Sequence, residues 1–140
     1  MRRIAILFFT FLLIGCSTKI ENLDKFKLLP SVQELEFKDT FSNLNFENIK
    51  FAYSDNNTEL PIRYDFTNHI KNNSQIESTI DYHIDSNLDL NQEGYKLDIL
   101  KNKISIVAKD KAGLFYAFTT LDQLIEDSKD QNINLPMISI

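Results

Sequence analysis

The sequence predicts an α+β domain, a mainly antiparallel sheet with helices packed on one face. Three observations carry this. Short runs with period-two apolar alternation lie mostly next to one another in the chain. Two stretches switch to the three-and-four spacing of an amphipathic helix. Only three glycines, at positions 15, 94 and 113, leave no room for a glycine-rich phosphate cradle or a repeat array.

The chain does not open with a domain element. Arg2 and Arg3 precede an apolar stretch from Ile4 to Ile14, interrupted only by Thr10, and Gly15 and Cys16 follow. That charged-then-apolar order is an export signal, and the run falls well short of the roughly 20 residues of a membrane-spanning helix. Leu13-Ile14-Gly15-Cys16 looks like a lipobox, at which cleavage leaves the cysteine as an acylated N-terminus. Cys16 is the only cysteine, so no disulfide forms within one chain. Each buried methylene of an attached lipid contributes about 0.8 kcal/mol, enough for several chains to hold the protein on a membrane. The expected organisation is a signal peptide over residues 1–15, a polar tether over 16–27 and one domain over 28–140. The residue after Cys16 is not aspartate, which favours the outer membrane of a Gram-negative envelope.

Cleavage takes away two arginines and leaves 13 basic against 20 acidic residues, a net charge of minus seven over 125 residues. One domain with a modest core fits that length, and the charge argues against nucleic acid as a partner.

Along the domain, Val32, Leu35 and Phe37 form an uneven first strand after Pro30-Ser31, and Ile49, Phe51 and Tyr53 alternate cleanly in a second. Pro61 suits the first turn of a short helix to about Lys71, with Ile62, Phe66 and Ile70 four apart. Ile76, Ser78, Ile80, Tyr82 and Ile84 face one way in a half-buried strand. The turn Asn91-Gln92-Glu93-Gly94 leads into Tyr95, Leu97 and Ile99, then Leu100 to Lys103 turns the chain into Ile104, Ile106 and Ala108. These two strands read as an antiparallel hairpin. Asp110 stands at an N-cap position before a helix to about Asp127, with Ala112, Phe115, Phe118, Leu121, Leu124 and Ile125 three or four apart. Ser128 to Asn134 breaks it, and Leu135 to Ile140 is a final strand.

Several of these segments carry a family pattern. Glu93-Gly94-Tyr95-Lys96-Leu97, Ile104 to Ala108, Ala112-Gly113-Leu114-Phe115-Tyr116, Thr120-Leu121-Asp122-Gln123-Leu124 and Leu135-Pro136 with Ile138 resemble the N-terminal, non-catalytic domain of glycoside hydrolase family 20, the β-N-acetylhexosaminidases. Leu29-Pro30-Ser31-Val32-Gln33-Glu34-Leu35 resembles the family's opening segment, with departures at Ser31 and Val32, and Ala117 stands where the family usually has glycine. The resemblance is specific over the last third and follows element order elsewhere. It implies the hexosaminidase domain-2 fold, of zincin-like topology, beside a catalytic (β/α)8 barrel that these 140 residues do not contain. On this reading Gly94 and Gly113 serve a turn and a close helix-to-sheet approach, while Tyr95, Phe115 and Tyr116 pack in the core or between domains.

The resemblance also implies the parent's chemistry: retaining hydrolysis of terminal N-acetylhexosamine, in which the substrate's acetamido oxygen attacks and an adjacent Asp-Glu pair assists. The sequence contains no Asp-Glu dipeptide, and Glu126-Asp127 has the reverse order at a helix end. Tryptophan, the usual floor for a pyranose, is absent. No catalytic or cofactor-binding residue is therefore expected in this chain, and Cys16 is the one chemically assigned position. Metal binding is not expected either: Asp81, His83 and Asp85 share a strand face, but His69 is isolated and no His-Glu-x-x-His motif occurs. The sequons at Asn56 and Asn72 fall in polar loops. Two readings remain beside each other: an accessory domain of a truncated or partial β-N-acetylhexosaminidase, whose partner is the barrel, and a stand-alone lipid-anchored module that binds glycan or a protein. The similar domains of α-glucuronidases and O-GlcNAc-cleaving hydrolases are a third relation.

Overall fold

Period-two burial is the physical basis of the sheet, and it holds strand by strand in the computed structural model, which describes residues 26, 28, 32–46, 49–53 and 77–140. Six strands form: β1 (Glu36–Phe41), β2 (Ile49–Tyr53), β3 (Ser78–Ile84), β4 (Tyr95–Ile99), β5 (Lys103–Ala108) and β6 (Pro136–Ser139), with one helix, α1 (Lys111–Asp130), between β5 and β6. The sheet order is β1-β6-β4-β5-β3-β2. Ser78, Ile80 and Tyr82 of β3, Leu97 and Ile99 of β4, Ile104, Ile106 and Ala108 of β5, and Ile138 of β6 are buried on the face that receives α1. Between them, Asp81, His83, Lys96, Asp98, Ser105 and Ser139 are only partly covered or exposed. A side chain on a strand can reach only one face, so this alternation leaves one apolar and one polar surface.

The sheet is mixed. β1 with β6, β4 with β6 and β4 with β5 are antiparallel, whereas β2 with β3 and β3 with β5 are parallel. The expected β4–β5 hairpin is present, closed by Leu100 N–H donating to the Lys103 carbonyl at 2.8 Å. Mainly antiparallel describes three of the five pairings. Apolar alternation sets which residues face inward but carries no information on strand direction, so the two parallel pairings were not legible from it.

Two boundaries also move. The first strand runs from Glu36 to Phe41, later than the Val32, Leu35 and Phe37 pattern predicts. Pairing with β6 defines it rather than apolar content: it is an edge strand whose register slips between Phe37 and Phe41, and Phe37 packs on the core while Leu35 is exposed. Helix α1 continues to Asp130, one turn past the predicted end. Asn132 takes a left-handed φ of 53° there. Its N–H donates to the Lys129 carbonyl at 2.9 Å, and Ile133 N–H donates to the Ser128 carbonyl at 3.0 Å. These two bonds are the paired closure of a helix end, with asparagine in the position glycine commonly fills.

The core lies between α1 and the sheet. Leu114, Ala117, Phe118, Leu121, Leu124 and Ile125 are fully buried, and the Phe118 ring meets Tyr82 edge-on with centroids 5.5 Å apart. Leu44 and Phe46, in the segment after β1, are also buried. That segment is tied down by Ser42 N–H to the Leu135 carbonyl at 2.9 Å and Asn45 N–H to Ser78 Oγ at 2.7 Å. The expected helix from Pro61 to Lys71 and the strand residue Ile76 lie outside the described residues. One helix on one face is what the described residues contain, consistent with the predicted layering.

Candidate functional site: the α1 N-terminus and the groove beside Tyr95

The family-like segments converge in space where α1 begins. Asp110 has an extended φ of −154° and caps the helix, one carboxylate oxygen accepting from Gly113 N–H at 2.8 Å. Its other oxygen accepts from Glu93 N–H at 2.9 Å, across seventeen residues of chain. Held between two backbone donors, first Glu93 and then Gly113, the Asp110 carboxyl lies below its ordinary value. Glu93 itself has a positive φ of 65°, the left-handed conformation that lets the turn enter β4 at Gly94.

Both domain glycines are required by contact. A Cβ on Gly113 would stand 2.5 Å from the Gly94 carbonyl oxygen, and one on Gly94 would stand 2.8 Å from both the Asn91 oxygen and Leu90 Cβ. Lys109 clamps the same loop, its N–H donating to the Gly94 carbonyl at 2.8 Å and its ammonium to the Leu88 carbonyl at 2.6 Å. The turn before β4 is thereby locked onto the helix start by Asp110, Gly113 and Lys109.

Tyr95 extends this junction inward. Its hydroxyl lies 2.6 Å from Thr120 Oγ1 on α1, and burial pushes its pKa up, only partly offset by that hydrogen bond. Tyr116 faces the other way, into an open groove of about 960 Å³. The groove is lined by Val32 to Glu36 and by Asp89 to Lys96, with Asp98, Ser139 and Ile140. Phe115, 38% exposed, sets its ring against Tyr116 with centroids 5.7 Å apart. Phe115 and Tyr116 form an aromatic pair at the side of this groove.

The remaining sequence-flagged residues do not gather. Asp81 pairs with Lys103 on the polar sheet face, Asp85 accepts Asn87 N–H at 2.8 Å in a local turn, and Glu126 lies 3.8 Å from Lys129. Among the described residues no group of three or more histidine, cysteine, aspartate or glutamate side chains is placed to hold a metal. His69, Cys16 and both sequons lie outside the described residues. Sequence reading expected the Asp110 cap and the roles of Gly94 and Gly113. It missed the second bond of Asp110 to Glu93, the Tyr95–Thr120 pair and the groove, all of which join residues distant in the chain.

The comparisons agree with this arrangement. The family model described as glycosyl hydrolase family 20, domain 2, matches residues 25–140. Among solved structures, β-N-acetylhexosaminidase from Bacteroides fragilis superposes with a TM-score of 0.59 at 22% identity, over 81% of this chain and 24% of that one. An inactive variant of the family 20 exo-β-N-acetylglucosaminidase from Vibrio harveyi gives 0.56 at 20% identity, over 83% of this chain and 19% of that one. CpGH84B gives 0.57 at 21% identity, over 82% and 22%. The chain thus spans about a quarter or less of these structures, and at such identities they share its fold. No curated protein matches the chain. With the match running from residue 25 to residue 140, most of the sequence, the chain belongs to the domain 2 family of glycosyl hydrolase family 20.

Proposed function

We propose that this chain is the accessory domain of a β-N-acetylhexosaminidase, and that hydrolysis of terminal N-acetylhexosamine is performed by a catalytic barrel outside these 140 residues. The observation that carries the reading is the match to domain 2 of family 20 over residues 25–140. It is supported by what the domain offers: a locked turn, a half-buried Tyr95–Thr120 pair and the Phe115–Tyr116 aromatic pair, but no adjacent Asp-Glu pair in the sequence. On this reading the role of the domain is to pack against the barrel through an inter-domain interface. Sedimentation of the full chain mixed with a family 20 barrel produced without its own domain 2 tests this. One-to-one co-sedimentation is expected, and independent sedimentation contradicts it.

We also propose that the protein is held on the cell envelope by lipid on Cys16, acylation being the simplest use of the Leu13-Ile14-Gly15-Cys16 segment.

 Expression with radiolabelled palmitate checks this: label is expected on the wild-type chain and lost in Cys16→Ser, and equal labelling of both contradicts it.

A further inference from the structure

Strand β1 is bonded on one side only. β6 lies along that side, and among the described residues no strand lies along the other. The register tells which backbone groups face outward. Leu97 and Ile140 exchange both backbone bonds, at 3.1 and 3.0 Å, so Ile140 and, two residues away, Ile138 turn their N–H and C=O towards β4. Ser139 between them turns its pair to Glu36 of β1, and Phe37, the next residue, turns its own pair away from the sheet. Those two groups have no hydrogen-bond partner among the described residues.

The side chains of this edge carry a pattern that complements itself. Phe37 packs on the core and against Phe26, with ring centroids 5.7 Å apart, and Leu35 beside it is 37% exposed. Glu36 and Lys38 alternate with Phe37 onto the other face, and neither makes an ion pair among the described residues. Antiparallel strands related by a two-fold axis keep each side chain on its own face, so one residue stands opposite its own copy. Centring β1 on Glu36, Lys38 or Asp39 sets like charges against each other, and centring it on Thr40 brings no opposite charges together. Centring it on Phe37 sets Glu36 opposite the partner's Lys38 and Lys38 opposite the partner's Glu36. In that register the two outward Phe37 backbones also exchange N–H and C=O, and the two rings meet on the core side. A lysine on an edge strand ordinarily discourages pairing. Here Glu36 offsets it in one register alone.

We propose that two copies of this chain pair edge to edge through β1, antiparallel about Phe37, with the reciprocal Glu36–Lys38 pairs fixing the register. The interface is separate from any contact with a barrel. Its test follows hydrogen exchange at the Phe37 amide of isotope-labelled full chain in detergent, across a concentration series. Exchange that slows as concentration rises is expected, and exchange independent of concentration overturns the proposal. Glu36→Lys alone sets lysine against lysine, and Lys38→Glu alone sets glutamate against glutamate, so each variant is expected to self-associate about tenfold more weakly. Mixing labelled Glu36→Lys with unlabelled Lys38→Glu restores both ion pairs between unlike copies and is expected to restore protection of Phe37. Single variants that protect Phe37 as well as the wild type, or a mixture that leaves it unprotected, overturn the pairing.

Discussion

Gly113 faces two opposing demands. Alanine is the better helix former by about 1 kcal/mol, yet its methyl would stand 2.5 Å from the Gly94 carbonyl oxygen, a backbone atom that the Lys109 N–H also holds. Overpacking of this kind costs about 1–3 kcal/mol, so Gly113→Ala is expected to destabilise the domain despite its helix propensity, by up to about 2 kcal/mol net in urea denaturation. A midpoint at or above that of the wild type would show that the turn yields, and that Gly113 is not required for the close approach. At this scale much was legible. A glycine inside a helical pattern needs a reason, and Gly94 and Gly113 stood out because the domain has no other. Their partnership was not legible, since it depends on a carbonyl nineteen residues away that no local pattern marks.

Helix α1 depends on its first turn. Its N-cap, Asp110, accepts from Gly113 within the helix and from Glu93 in the turn before β4, so one side chain both starts the element and fixes it to the sheet. Because its carboxyl is held below the ordinary 3.8, its contribution is fully present above about pH 3.8 and is lost as pH falls through the lower folded value. Asp110→Ala is expected to lower the thermal midpoint at neutral pH, with the gap to wild type closing in acid. Asp110→Asn, which keeps one acceptor and loses the other, should fall between them. A gap that persists unchanged below that range would contradict the assignment. Elements were well read where burial alternates cleanly, as in β3, β4 and β5, and where a cap is explicit. They were less well read where pairing or a local terminator decides: the edge strand β1 is defined by β6, and the end of α1 by the left-handed Asn132.

At the scale of the whole molecule, one sheet face is polar and the core lies between the other face and α1. The layered α+β class followed from the order of apolar patterns, while the parallel pairings of β3 with β5 and β2 needed the structure because alternation has no direction. The groove was not legible in the sequence because its lining comes from segments distant in the chain, around Val32 to Glu36, Asp89 to Lys96 and Tyr116. The most direct test of the central claim is hydrolysis of a chromogenic N-acetylglucosaminide by the purified full chain, alone and with a family 20 barrel produced without its own domain 2. No turnover by the chain alone, with increased turnover or thermal endurance of the barrel in its presence, is predicted; turnover by the chain alone would contradict the account.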